Sequence, residues 1–92
     1  MAPLLSVIIP LFNGEKYVDN IYNAFSAQGY SDFELICIDD GSTDSTYQKL
    51  LDLQKKHPEL NVIVKHQDNG GVSVARNIGL KYATGKYISF FD

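Results

Sequence analysis

The chain has 92 residues, of which 45% are hydrophobic and 21% charged, with a formal net charge of −3. That length supports one small core, and the mild acidity without a basic stripe argues against nucleic acid as a partner. Its single cysteine, Cys37, rules out a disulfide within the chain and fits a reducing compartment, so a cytoplasmic location is expected. The apolar runs are strand-sized, too short for a bilayer.

Leu4 to Ile9 reads as a strand buried on both faces and closed by Pro10, which has no N–H to give a ladder. From Glu15, apolar residues at Val18, Ile21, Tyr22 and Phe25 follow helical spacing, and Gly29 is placed to end that helix. Phe33 to Ile38 is a second strand, leaving Asp39 and Asp40 in the turn after it. The segment Ser42-Thr43-Asp44-Ser45 is rich in helix-capping residues, with Asp44 expected to cap, and Ser45 with Gln48 has capping-box spacing. The second helix carries Tyr47, Leu50, Leu51 and Leu53 and stops at His57-Pro58. Asn61 to Lys65 is a third strand. Gly70-Gly71 opens a third helix with Ala75, Ile78, Gly79 and Tyr82 on its inner face, Thr84-Gly85 ends it, and a fourth strand runs from Lys86 to Asp92.

The order βαβαβαβ, with short connections, predicts an α/β domain: a Rossmann-like parallel sheet with flanking helices. In the nucleotide-binding strand order 3-2-1-4, strands 1 and 4 are neighbours at the switch point where ligand crevices open. Phe12, Asn13, Asp39, Asp40 and Asp92 should then share one rim. A strand that delivers an acid to its carboxyl end and then stops leads us to expect half of a larger domain, residues 1–92, cut within a site. A fourth strand with an open edge is a hazard for self-association.

Four blocks carry a specific resemblance: Ser6-Val7-Ile8-Ile9-Pro10-Leu11-Phe12-Asn13; Ile38-Asp39-Asp40-Gly41-Ser42-Thr43-Asp44; Gly70-Gly71-Val72-Ser73-Val74-Ala75-Arg76-Asn77-Ile78-Gly79; and Tyr87-Ile88-Ser89-Phe90-Phe91-Asp92. In this order and at these spacings the chain resembles the family 2 glycosyltransferases of GT-A fold, as their N-terminal, nucleotide-binding half. The resemblance implies an inverting transfer of a sugar from a nucleotide diphosphate donor, expected to be a UDP-sugar, to a saccharide or lipid-linked acceptor, with Mg²⁺ or Mn²⁺ as cofactor. It implies work in polysaccharide biosynthesis at the cytoplasmic face of a membrane.

The same resemblance assigns the site residues. Asp40 accepts the N3–H of uracil, while Asp39 supports the turn. Pro10 and Phe12 lie near the base, Phe12 keeping a stacking face where the family often has a tyrosine. Arg76 contacts the nucleoside, and Asn69 joins it. Asp92 matches the first acid of the family's Asp-x-Asp motif, meeting ribose or, indirectly, the metal. No catalytic base is assigned within the chain, so the fragment alone is expected to be inactive. Turn-and-cap chemistry is the plain alternative for Asp39-Asp40, and a solvated helix position the alternative for Arg76. Phosphate binding by Gly70-Gly71 does not follow from the sequence, since the pattern is neither GxGxxG nor a P-loop. His57 and His66 receive no role. Two further readings compete: a phosphoacceptor receiver-like signalling domain, and a nucleotide-binding module without transfer activity. Asp40→Ala is expected to weaken nucleotide binding with little effect on folding.

Overall fold

In the computed structural model, residues 3–26 and 32–91 are described. Gly29, the expected end of the first helix, and Asp92, the expected site acid, lie outside the described residues. The elements in chain order are β1 (Leu5–Leu11), α1 (Glu15–Ser26), β2 (Phe33–Asp40), α2 (Thr46–Lys56), a 3-10 turn (Pro58–Leu60), β3 (Val62–Gln67), α3 (Val72–Tyr82) and β4 (Tyr87–Phe90). The strands form one parallel sheet in the order β3-β2-β1-β4. This is the expected order, and it excludes the receiver-like alternative, whose first strand lies between the second and third.

The period of two along each strand divides the core between the faces of the sheet. Val7, Ile9 and Leu11 of β1 and Phe33, Leu35 and Cys37 of β2 pack with Val18, Ile21 and Phe25 of α1 and Leu50 and Leu53 of α2. Ile8, Ile36 and Ile38 point to the other face, where Ala75 of α3 meets them. Helix α3 approaches β1 so closely that a Cβ on Gly79 would lie 2.4 Å from a methyl of Ile8. Among the described residues no helix is long and apolar enough to cross a membrane.

Several expectations need correction. Pro10 does not close β1; it sits inside the strand, paired with Ile38. Leu4 and Ile8 turn their carbonyls toward Tyr87 and Phe91, so Pro10, two residues on, faces the same side. The pairing with β4 has ended at Ile8–Phe90, and no ladder bond is lost there. β2 runs two residues further than expected and takes Asp39 and Asp40 into the ladder, opposite His66 and Gln67 of an equally lengthened β3. Ser45 occupies the N-cap of α2 without a side-chain cap bond, and Gln48 turns instead to Asp52 at 3.1 Å, so no capping box forms. Tyr82 is exposed rather than internal, with Lys65 Nζ 4.3 Å from its ring centroid. β4 is short, and Tyr87, Ile88 and Phe90 are exposed.

At the amino ends of the strands a buried polar clasp fixes the chain between α3 and β4. Glu34 accepts from Ser6 Oγ at 2.6 Å, from the Thr84 amide at 2.8 Å and from Thr84 Oγ at 3.0 Å, while Ser6 Oγ accepts from the Gly85 amide at 2.8 Å. Cys37 is fully buried, and burial pushes its thiol up to about 12.

Candidate nucleotide site at the carboxyl edge of the sheet

The strand parity that builds the core also separates the two adjacent carboxylates. Asp39 falls on the α1/α2 face with Cys37, and Asp40 on the α3 face with Ile36 and Ile38. Asp39, fully buried, accepts from the Ser42 amide at 3.3 Å and pairs with His66 Nδ1 at 2.8 Å. It braces the turn into α2, the role expected of it. His66, given no role from sequence, has this carboxylate as a partner and lies 5.1 Å, ring to ring, from Tyr47.

Asp40 is 5% exposed. Its Oδ1 accepts from Gln67 Nε2 at 2.6 Å and from the Gly70 amide at 2.8 Å, and its Oδ2 from the Gly71 amide at 3.0 Å. Burial pushes this carboxyl up, but the Gly70 amide, the Gln67 side chain and the Gly71 amide together prevail and hold it below its ordinary range. It therefore stays ionised at neutral pH. The glycine amides are committed to Asp40, which leaves them no part in cradling a phosphate in this arrangement. The expectation that Asp40→Ala spares folding is corrected by the same bonds, because Asp40 ties the start of α3 to β2.

The loops after β1 and β2 are laced together. Asn13, at φ 50°, donates its amide to Ser42 Oγ at 2.9 Å and accepts the Thr43 amide on Oδ1 at 2.8 Å. The Gly14 amide donates to Thr46 Oγ1 at 2.9 Å. Gly41, at φ 74°, permits the second loop to pass beneath the start of α3, since a Cβ there would lie 2.6 Å from the Asn69 nitrogen.

These elements border an open cavity of about 280 Å³ lined by Pro10, Leu11, Phe12, Asp40, Asn69, Gly71 and Val72. Four of the six residues singled out from sequence, Pro10, Phe12, Asp40 and Asn69, thus converge on one cavity at the carboxyl end of β1, one of the two strands that flank the switch point. Phe12 is 50% exposed and lines the cavity with its aromatic side chain. A second hollow of about 170 Å³ shares Pro10, Leu11 and Phe12 and reaches Phe91 at the end of β4. Arg76 does not line the first cavity; its guanidinium lies over the Phe90 ring at 5.5 Å from the centroid. Asp92 is outside the described residues, where nothing tests its role. Sequence reasoning missed Leu11 and Val72 as apolar walls and Gln67 as a holder of Asp40. The alternation in β3 was the available signal for Gln67, because two more strand residues bring it opposite Asp40. A larger hollow of about 360 Å³ lies between α1 and α2, lined by residues such as Asp19, Lys49 and His57 and by none from the strand ends. The strand-end cavity is the better candidate, because it unites an aromatic side chain, an ionised acceptor and apolar walls at the carboxyl ends of the strands.

Mg²⁺ and Mn²⁺ call for converging oxygen ligands. Among the described residues no three His, Cys, Asp or Glu side chains come together to hold an ion. Asp40 already accepts three of the chain's own donors, so these residues do not form a metal site by themselves.

The family model for glycosyl transferase family 2 matches residues 6–92. The uncharacterized glycosyltransferase EpsJ of Bacillus subtilis is 40% identical over 92 residues, covering all of this chain and 26% of EpsJ. The poly(ribitol-phosphate) β-N-acetylglucosaminyltransferase TarS of Staphylococcus aureus is 35% identical over 89 residues, covering 95% of this chain and 15% of TarS. A crystal structure of TarS residues 1–349 with UDP superposes with a TM-score of 0.83 at 36% identity, over 97% of this chain and 27% of that one. The mannosyltransferase PcManGT of Pyrobaculum calidifontis, in complex with GDP-Man and Mn²⁺, gives a TM-score of 0.86 at 25% identity, over 96% of this chain and 26% of that one. The chain spans about a quarter of the length of EpsJ.

Proposed function

Because this chain belongs to glycosyl transferase family 2, we propose that it supplies the donor-nucleotide site of a transferase that moves a sugar from a nucleotide diphosphate to an acceptor hydroxyl. Its α/β sheet is that of the GT-A fold. The proposal rests on the meeting of Pro10, Phe12, Asp40 and Asn69 around one cavity at the carboxyl end of β1.

In this reading the base stacks on Phe12 between apolar walls and gives its N3–H to Asp40, which makes UDP-sugar the proposed donor. Arg76, above Phe90, is proposed to reach the nucleoside from the β4 side, and Asp92 to meet ribose. The reaction proposed is a single displacement with inversion: the acceptor oxygen bonds to the anomeric carbon as the bond to the diphosphate oxygen breaks. Holding the donor fixed removes much of the orientational cost of that displacement. Divalent-cation dependence is proposed on the strength of the family and of the Mn²⁺ in the PcManGT complex. The acceptor is proposed to be a saccharide or a lipid-linked molecule, in keeping with the poly(ribitol-phosphate) named for TarS and the teichoic acid biosynthesis named for GgaB.

An amide NMR titration of the chain with UDP tests the nucleotide site. Shifts should cluster at Phe12, Asp40 and Asn69. Asp40→Ala should weaken UDP binding by about 10- to 100-fold, the usual worth of a hydrogen bond to a charged group. Phe12→Ala, at an exposed position that leaves the fold intact, should weaken binding by about tenfold, as expected for a lost base stack. UDP binding unchanged in both variants would overturn the assignment.

A further inference from the structure

Gln67 is the unexpected member of the strand-end cluster. Among the described residues its amide has one hydrogen bond, Nε2 to Asp40 Oδ1 at 2.6 Å. Its other end, Oε1, is buried without a hydrogen-bond partner among the described residues. Turning the amide over would set Oε1 against a carboxylate oxygen, two acceptors face to face, so the donor end is fixed on Asp40 even though Oε1 is left orphaned.

A carboxylate has about four acceptor positions, two on each oxygen. On Asp40, Gln67 and the Gly70 amide fill both positions of Oδ1, and the Gly71 amide fills one on Oδ2. One acceptor position remains, on Oδ2, and Asp40 itself lines the cavity beside the Phe12 face. Uracil and thymine present a single N–H between two carbonyls. Guanine presents two neighbouring donors, N1–H and the exocyclic amine, and a carboxylate matches both only with an open position on each oxygen.

We infer that Gln67 is a positioning residue that closes Oδ1 of Asp40 and thereby selects a nucleobase with one N–H donor over guanine. The inference rests on the proposed contact between Asp40 and the base. Selectivity follows from the donor that guanine would leave buried and unpaired, a mismatch that binding sites penalise heavily. The two neighbouring positions divide the work: Asp40 makes the contact, and Gln67 determines how many donors that contact accepts.

The test compares UDP and GDP binding to the chain by calorimetry, in the parent and in Gln67→Met, which keeps the length of the side chain and removes its donor. The parent should favour UDP by at least about tenfold, the equivalent of one mismatched buried hydrogen bond. In Gln67→Met that ratio should shrink to within about threefold as Oδ1 opens to guanine, well under the tenfold that one such bond is worth. Carbon-detected titration of the Asp40 carboxyl supplies a readout that loss of packing alone would not move. It should move upward in Gln67→Met, because a donor to the charged form has gone. An unchanged nucleotide ratio overturns the inference while leaving the nucleotide site standing, and a parent that prefers GDP overturns both the inference and the UDP-sugar donor. A parent that binds neither nucleotide, or an Asp40→Ala variant that binds UDP as tightly as the parent, overturns the reading beneath it as well.

Discussion

Glu15 and Asp44 cap each other's helices across 29 positions of sequence. Glu15 Oε2 accepts the Ser45 amide at 3.2 Å, at the entrance to α2, and Asp44 Oδ2 accepts the Glu15 amide at 3.4 Å, at the entrance to α1. Asp44 Oδ1 also takes the Thr46 amide at 2.9 Å. Each carboxylate thus lies at a helix N-terminus, where orphan amides and the dipole favour negative charge. The two loops that form the floor of the candidate site are joined by these exchanges.

This arrangement separates two substitutions that local sequence would rank the other way. Ser45→Ala should change stability by no more than about 0.5 kcal/mol, because the hydroxyl makes no cap bond. Asp44→Ala should lower the urea midpoint by clearly more, and Glu15→Gln made on top of it should add less than it does alone, since the pair is coupled. Urea titrations of the parent, the three single variants and the Asp44→Ala/Glu15→Gln double variant decide this.

Gly41→Ala should cost about 1–3 kcal/mol, the usual penalty for a non-glycine residue held at a strained backbone conformation. The added methyl would press on the Asn69 nitrogen, so Asn69 should shift and UDP binding should weaken in parallel. Gly71→Ala, where φ is 91° and nothing lies within 4 Å, should carry the strain without the collision. Comparison of the two by urea midpoint and UDP titration isolates the packing contribution.

Acid should weaken the fold through Asp40 and Asp44. Both carboxyls lie below their ordinary range: Asp44 chiefly through the Thr46 hydroxyl, Asp40 because its three donors outweigh burial. An unfolded aspartate titrates near about 3.9, so their contribution is fully present above about pH 4 and is lost as pH falls through the lower folded values. The urea midpoint should therefore fall on acidification below about pH 4, and Asp40→Asn should show a shallower fall over that window.

Glu34→Ala should destabilise by about 1–3 kcal/mol, because the Thr84 amide loses its buried acceptor. Hydrogen exchange at Thr84 and Gly85 should accelerate more than exchange in β2, whose ladder is untouched. Uniform acceleration throughout the sheet would mean that the clasp has no local role.

Much of this was legible in the chain. Helical spacing at Val18, Ile21 and Phe25, and unbroken apolar strands at Val7–Ile9 and Leu35–Ile38, fix which faces must be buried, since period and hydrophobicity act locally. Short connections between such elements lead to a parallel sheet, and the sheet order places Pro10, Phe12 and Asp40 on one rim before any side chain is seen. Which partner each polar residue takes was not legible. Ser45 and Gln48 have capping-box spacing, yet the amide goes to Glu15, because the folded loops bring in a carboxylate that a four-residue window does not contain. Pairing with β3 extends β2 through Asp39 and Asp40, and only that pairing sets Gln67 against Asp40 and His66 against Asp39. Sequence by itself determined the elements, their order and the residue types at the rim, through local periodicity. The tertiary structure decided which acceptor positions stay open, because hydrogen-bond partners some thirty residues apart are chosen by the packing of the sheet and not by the neighbouring chain.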